Sequence, residues 1–481
     1  MKEKIGLISG PLAFLIIYNL SFDNLAPEAQ AVMASTTWIA IWWITEAIPM
    51  AVTALLPVVL FPLTGGLDID ATTTTYFSPI IMLFLGAFVI AIAIEKWDLH
   101  LRMALNIIKV IGTRSNFIIL GFMVATAFLS MWISNTATTL MMLPIGLAIG
   151  RKIGEFQDDE VHKKKFNIAL MLAIAYAASI GGIATLIGTP TNAVFSAISF
   201  ELYGREISFF EWFIVGLPIS IILLLIGWVY LTRVLYTLHI SGAGEAEKET
   251  NAQLKALGKM NYEEKMVALV FAVTAIAWIL RSFVLTKVFP TINDTIISIA
   301  ASIVLFLIPA RKKGKMIMDW ESAKQLPWGI LILFGGGLTI AVAFQDSGLA
   351  EWLGQRLSAL EQFHYAIILF AVILMVNFFT EITSNVATAA VMLPILGSLA
   401  QSIGIHPYGL MAGASIAASC AFMLPVATPP NAIVYSSGHL NMNVMVRAGF
   451  LMNLIAAIIV FFGIFYLMPV IWGIRLDEFP F

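Results

Sequence analysis

Ser134-Asn135-Thr136 falls in the middle of one apolar stretch, Asn116–Ile149, and Ser384-Asn385-Val386 in the middle of another, Tyr365–Leu399. Hydroxyl and amide groups at that depth are costly unless they pair or line a cavity. They can donate to a carboxylate or supply oxygen ligands to an alkali cation such as sodium. A second pair of motifs, Gly188-Thr189-Pro190 and Ala427-Thr428-Pro429, reads as breaks in two further helices. Proline removes a donor and frees carbonyls, and the small residue two places before it lets an ion approach the backbone. A broken helix offers free N–H groups at one end, suited to carboxylate, and free carbonyls at the other, suited to a cation. Two interrupted hairpins facing two breaks give two neutral sites, one for each end of a dianion. Either motif alone also serves as an interhelical hydrogen bond or a packing kink. Their repetition in the same order is what argues for a site.

The elements that carry these motifs must lie in a membrane. Hydrophobic residues make up 60% of the 481-residue chain and charged residues 12%, too few to cover a soluble protein of this size. Apolar runs such as Ile5–Leu20, Ala34–Ala51, Leu217–Leu231, Met266–Leu280, Ile296–Ile308 and Phe450–Trp472 approach the roughly 20 residues that a crossing needs. Hydrocarbon forces the backbone to satisfy itself, so these runs are helices; the alternation of a barrel is absent. The N-terminal run, after Met1-Lys-Glu-Lys, has no small-residue cleavage motif and reads as a first transmembrane helix rather than a signal peptide. The expected fold is an all-α polytopic membrane protein with about 11 transmembrane helices plus two re-entrant helical hairpins.

With the N-terminus cytoplasmic, the inside receives Lys2, Lys4, the stretches Lys96–Arg114, Arg151–Lys165, Arg233–Lys265 and Arg311–Lys324, and Arg447, which together hold 22 of the 27 Lys and Arg residues. The outside receives Arg205, Arg281, Lys287, Arg356 and Arg475. That asymmetry follows the positive-inside rule, and it sends the C-terminus to the extracytoplasmic side of the plasma (inner) membrane. The polar stretch 239–264 reads as a cytoplasmic connector, partly helical, between two halves of similar length.

The halves match. Phe84, Gly86, Ala91, Ala93 and Leu99 recur 250 residues later as Phe334, Gly336, Ala341, Ala343 and Leu349. Met142-Leu143-Pro144-Ile145 recurs as Met392-Leu393-Pro394-Ile395 at the same offset, and IGTPTNAV from Ile187 matches VATPPNAI from Val426 at an offset of 239. The topology above sends the first hairpin in from the inside and the second from the outside, so the repeats are inverted. Inverted repeats place a secondary transporter's site near the midplane, where they meet. The expected division is residues 1–35 as first helix and outer loop and 36–238 as first repeat, with a hairpin at 115–150 and a broken helix at 166–198. The connector follows; then come a second repeat at 265–475, with a hairpin at 363–400 and a broken helix at 407–437, and a tail at 476–481.

Ser134-Asn135-Thr136, its second copy, the stretch WWITEAIPMAVTALLPVVLFPLTG from Trp42 and the stretch FLGAFVIAIAIEKWDLHLRMAL from Phe84 resemble the divalent anion/sodium symporters, the solute carrier 13 or dicarboxylate/citrate transporter family. The resemblance covers nearly the whole chain. It implies sodium-coupled symport of dianionic carboxylates of the succinate, malate and fumarate class, by a homodimer with scaffold domains and elevator-type transport domains. Matched residue by residue, it implies a first sodium site at Ser130, Ser134, Asn135 and Gly188 and a second at Thr380, Ser384, Asn385 and Ala427. Substrate contacts would come from Asn135, Thr136, Thr189, Pro190, Ser384, Asn385, Val386, Thr428 and Pro429. The departure is Val386, where many bacterial members have threonine; it removes one hydroxyl from the second carboxylate site.

The remaining candidates are weaker. Glu46 and Glu381 are carboxylates within apolar sequence and candidates by position. Glu46 reads as a scaffold residue; Glu381 reads either as a proton or cation partner or as a structural hydrogen-bond acceptor. The six histidines are scattered without metal spacing, and the single cysteine, Cys420, reads as a small packing residue. An intramembrane enzyme would need a constellation such as HExxH or GxSxG, or a phosphate-cradling loop, and the chain has none of these. A channel would need rings of carbonyls or charges along a pore, which the asymmetric paired breaks do not resemble. Nothing points to nucleic acid. Within the carrier class, sodium symport competes with sodium-independent dicarboxylate exchange, and citrate or sulfate competes as cargo.

Overall fold

The computed structural model describes residues 2–112, 116–155, 159–238, 243–311 and 314–481. Arg114, Ser115, part of the Arg151–Lys165 loop, residues 239–242 of the connector, and Lys312 and Lys313 of the basic cluster lie outside the described residues. Among the described residues the regular structure is helical, apart from one isolated antiparallel bridge between Pro309 and Met316.

Many of the helices start at a capping side chain or a proline. The first half runs α1 Lys2–Asn19, α2 Pro27–Thr45, α3 Met50–Thr64, α4 Pro79–Lys96 and α5 Leu99–Ile111. There follow α6 Phe117–Ser130, α7 Asn135–Glu155, α8 Glu160–Ile183, α9 Pro190–Tyr203 and α10 Phe209–Val229. The connector helix is α11 Ala243–Ala256, and the second half continues with α12 Tyr262–Leu280, α13 Asp294–Leu307, α14 Trp328–Asp346 and α15 Leu349–Leu357. The last five are α16 Tyr365–Phe379, α17 Asn385–Ser402, α18 Pro407–Ser419, α19 Pro429–Tyr435 and α20 Met442–Phe462. Pro27, Pro79, Pro190, Pro407 and Pro429 each open a helix, where their missing N–H costs nothing. Ser208 with Glu211, and Asn261 with Glu264, form reciprocal capping boxes at α10 and α12, each cap contributing about 1 kcal/mol.

Seven described helices are long and apolar enough to cross a membrane, and shorter apolar helices such as α6, α13 and α16 accompany them. The repeat seen in the sequence is a repeat of elements: α4 to α9 correspond to α14 to α19 in order. The correspondence extends further than the residue matches did. α10 and α20 each run into a π-helical turn, Tyr230–Leu235 and Gly463–Leu467, yet their sequences share too little to show it. The two halves also touch through a repeated residue: Phe84 and Phe334 meet edge to face at 5.3 Å.

Packing sorts the helices into two groups. α1 packs on α2, α2 on α3, α4 and α12 on α13, and α14 on α2, α3 and α4, while α14 also packs on α9 and α17 and so borders the second group. In the second group α8 packs on α6, α7, α10 and α19, while α18 packs on α16, α17 and α20. The broken helices cross between repeats, since α19 of the second lies on α7 and α8 of the first and α9 of the first lies on α17 and α18 of the second. Close approach is set by glycine: a Cβ on Gly181 would collide with the backbone of Ala127, which is how α6 and α8 come together.

The short helices α5 and α15 join the groups differently. α5 packs on α6, and the connector helix α11 packs on α5 and α7 with Ala246 and Thr250 buried. Arg102 of α5 holds that arrangement, donating to Glu264 at 3.0 Å and to the carbonyl of Gly258 at 2.9 Å. α15 instead packs on α17 of its own hairpin.

Candidate functional site

The chain between α6 and α7 turns within Met131–Ser134, and that between α16 and α17 within Thr380–Ser384. Each turn delivers a Ser-Asn pair to the start of the following helix. Behind each pair the same bonds recur. Ser130 Oγ donates to Asn135 Oδ1 at 2.5 Å and lies 2.7 Å from the Ala178 carbonyl; Thr380 Oγ1 lies 2.7 Å from Asn385 Oδ1 and 3.0 Å from the Ala418 carbonyl. A hydroxyl has one proton, so each group of three oxygens holds more acceptor capacity than donor. That donor set, all oxygen and uncharged, fits a hard alkali cation.

The first copy is the tighter. A Cβ on Gly182 would lie 2.8 Å from Asn135 Oδ1 and 3.0 Å from the Gly188 carbonyl; one on Gly188 would lie 3.0 Å from the Ser130 carbonyl. The corresponding positions of the second copy are Ala421 and Ala427.

The helix breaks are held open by asparagines. Asn192 donates to the carbonyls of Gly182 and Ile183 at the end of α8, at 3.2 and 3.3 Å, and to that of Thr185 just beyond it at 2.8 Å. Asn431 does the same for Ala421 and Leu424 at 3.1 and 3.0 Å. Thr185 Oγ1 donates to the Met131 carbonyl at 2.5 Å, tying the first break to the first turn. In the second repeat the residue at the position of Met131 is Glu381. Its buried carboxylate accepts from the backbone N–H groups of Phe422, Met423 and Leu424 at 2.7, 2.9 and 2.9 Å, and from Asn453 Nδ2 at 2.8 Å. Glu381 therefore acts as a structural acceptor, reaching from the hairpin to the broken helix. The breaks also bond across the repeats, with Ser419 Oγ 2.7 Å from Thr191 Oγ1 and 3.2 Å from Thr189 Oγ1.

Both turns and both breaks open into one cavity of about 330 Å³, toward the small end of ligand pockets. Ser134, Asn135, Thr136, Gly188, Thr189, Pro190, Ser384, Asn385, Val386, Ala427, Thr428 and Pro429 all line it. Ser130 and Thr380 do not; they are fully buried behind Asn135 and Asn385. The wall built from turns and breaks carries the cavity's hydroxyl and amide groups, interleaved with Ile187, Val426 and Pro430, and the N-termini of α7, α9 and α17 lie at it. The facing wall, from the other group of helices, is Met50, Phe84, Phe88, Ile330 and Leu333, with Glu46 at the end of α2. Among the described residues no group of His, Cys, Asp and Glu could hold a metal.

Sequence reasoning passed over Asn192 and Asn431, although they repeat at the offset that marked Thr189 and Thr428. The Ala178 and Ala418 carbonyls carry no residue signature. The apolar wall reads in sequence as ordinary core.

A family profile described as the sodium:sulfate symporter transmembrane region matches residues 5–473. The chain belongs to that family. It is accordingly a transporter of the membrane and not an enzyme. A Staphylococcus aureus protein named sodium-dependent dicarboxylate transporter SdcS (strain bovine RF122 / ET3-1) is 47% identical over 484 residues, covering 99% of this chain and 93% of that one; its counterpart in strain MRSA252 matches equally. Two solved transporters share the fold at low identity. MtrF of Neisseria gonorrhoeae is 12% identical with a TM-score of 0.54, covering 82% of this chain and 83% of its own. YdaH of Alcanivorax borkumensis is 13% identical with a TM-score of 0.55, covering 86% and 87%.

Proposed function

We propose that this protein is a sodium-coupled symporter of dianionic carboxylates of the succinate, malate and fumarate class. The observation that carries the reading is the single cavity into which both Ser-Asn turns and both helix breaks open. The near full-length similarity to proteins named sodium-dependent dicarboxylate transporters supports both the cargo and the coupling ion.

In this reading the substrate's two carboxylates take N–H and hydroxyl donors from the two halves of the polar wall. Asn135, Thr136, Thr189 and Pro190 hold one end; Ser384, Asn385, Val386, Thr428 and Pro429 hold the other. Sodium takes oxygens behind each half: Ser130, Ser134, Asn135 and Gly188, with the Ala178 carbonyl, and Thr380, Ser384, Asn385 and Ala427, with the Ala418 carbonyl. Asn135 and Asn385 belong to both functions, since each side chain has a carbonyl oxygen for the cation and an N–H₂ for the anion. Binding of one then orders the residue that the other needs, which couples the two thermodynamically.

The cavity's position between the two helix groups supports an elevator in which α6–α10 and α16–α20 carry the site past a scaffold of α1–α4 and α12–α14. The two turns are then tips of re-entrant hairpins, tolerated at membrane depth because protein covers them. The repeats are inverted, the N-terminus is cytoplasmic, the C-terminus is extracytoplasmic, the membrane is the plasma membrane, and the working unit is a homodimer.

The test is labelled succinate uptake into proteoliposomes that contain no substrate, under an inward sodium gradient. Symport predicts accumulation that disappears when choline replaces sodium. Uptake that appears only after the lumen is loaded with unlabelled succinate would make the protein an exchanger.

A further inference from the structure

Among the described residues Glu46 is the one ionisable residue lining the cavity. It ends α2 in the left-handed backbone region, at φ 51° and ψ 40°, one of three described non-glycine residues with positive φ. A glutamate held there is uncommon and marks a position worth a functional hypothesis. Glu46 is exposed and lines the cavity, and its side chain makes no hydrogen bond or ion pair among the described residues. Among the described residues no Lys, Arg or His lines the cavity to neutralise it.

A bare carboxylate opposite a wall that gathers donors for an anion weakens the binding it faces, and it weakens it more for each further ligand charge. We propose that Glu46 is a charge filter that admits dianions and rejects trianions, a specificity residue of the site read above as a carboxylate site. A dicarboxylate places both charges on the polar wall. A third carboxylate has only the facing wall left, where Phe84, Phe88, Ile330 and Leu333 give it no donor and Glu46 repels it. Across a cavity of this size, two like unit charges in the intermediate dielectric near a protein surface weaken binding by about tenfold or more.

The test measures inhibition of sodium-driven labelled succinate uptake by unlabelled succinate and by propane-1,2,3-tricarboxylate, a trianion without a hydroxyl. In the wild type the tricarboxylate should need at least about tenfold higher concentration than succinate for the same inhibition. Glu46→Gln removes the charge, and Glu46→Asn removes it with a side chain that tolerates the left-handed backbone. Both should shrink the ratio by about tenfold, while Glu46→Asp keeps it. An unchanged ratio in a neutral variant that still takes up succinate overturns the filter alone. Should neither neutral variant fold, the wild type still decides: the monomethyl ester of the tricarboxylate, a dianion of nearly the same size, must compete about tenfold better than its parent. Equal competition overturns the filter. No sodium-driven succinate uptake by the wild type overturns the carboxylate reading and the filter with it.

Discussion

Thr380 and Asn385 are joined by a side-chain bond of 2.7 Å across the turn between α16 and α17, and Ser130 and Asn135 repeat that bond across the turn between α6 and α7. In both copies the hydroxyl also lies against a carbonyl of the neighbouring broken helix. In the proposed reading each copy is a place for a cation. Ser130→Ala and Thr380→Ala should each raise the sodium concentration for half-maximal succinate uptake by about fivefold, the effect of one lost oxygen ligand. Each should leave the apparent succinate affinity at saturating sodium within about twofold. Equal effects on sodium and succinate would mean that the hydroxyls only support the fold.

Gly182 and Gly188 make the first copy tighter than the second, where alanines stand. Gly182→Ala puts a methyl 2.8 Å from Asn135 Oδ1 and should cripple sodium-driven uptake far more than Ala421→Gly, its mirror change. Sodium activation curves of the two variants decide the point; equal impairment would contradict the asymmetry.

Glu381 satisfies three backbone N–H groups and one amide from a buried position. Glu381→Gln turns an N–H₂ toward donors and should destabilise the protein by about 2–3 kcal/mol. Thermal unfolding in detergent measures this. A variant as stable as the wild type would show that the break holds its shape without the carboxylate.

Much of this site was legible because it is written twice. Ser134-Asn135 and Thr189-Pro190 stand out in an apolar chain, and their recurrence in order separates them from incidental kinks. Asn192 and Asn431 repeat as faithfully, but an asparagine after a proline reads as turn chemistry until the carbonyls it holds are seen. Backbone ligands such as Ala178 have no side-chain signature at all. The facing wall was hidden for the opposite reason: Phe84 and Leu333 are apolar residues in apolar helices, and only packing shows that they border a cavity. Glu46 reads in sequence as a scaffold residue, and the structure places it at the end of α2. What sequence could not give is that its carboxylate has no partner among the described residues.

Val386 lines the cavity where its first-repeat counterpart is Thr136. Val386→Thr restores a donor and should shift the relative affinities for succinate, malate and citrate by about threefold to tenfold, the worth of one neutral hydrogen bond. Competition against labelled succinate measures it; unchanged relative affinities would remove Val386 from the specificity-determining residues.

Lys96 and Asp319 form an ion pair at 2.6 Å between the end of α4 and the loop before α14. The hydrogen bond from Lys96 lowers the Asp319 carboxyl to about 2. A depressed carboxyl stabilises the fold fully above its unfolded value near 3.8 and loses that contribution as pH falls toward 2. Asp319 is 44% exposed, so screening holds the contribution to about 0.5 kcal/mol. The stability difference between wild type and Asp319→Asn should therefore be small and constant from pH 5 to 8. A difference that fades between pH 6 and 5 would contradict the assignment.

The most direct test of the whole account is the dependence of initial succinate uptake on external sodium concentration. Two cation places that share Asn135 and Asn385 with the substrate predict a sigmoidal curve, with no uptake when potassium or choline replaces sodium. A curve that is flat in sodium would contradict cation coupling, and a simple hyperbola would contradict the second cation place.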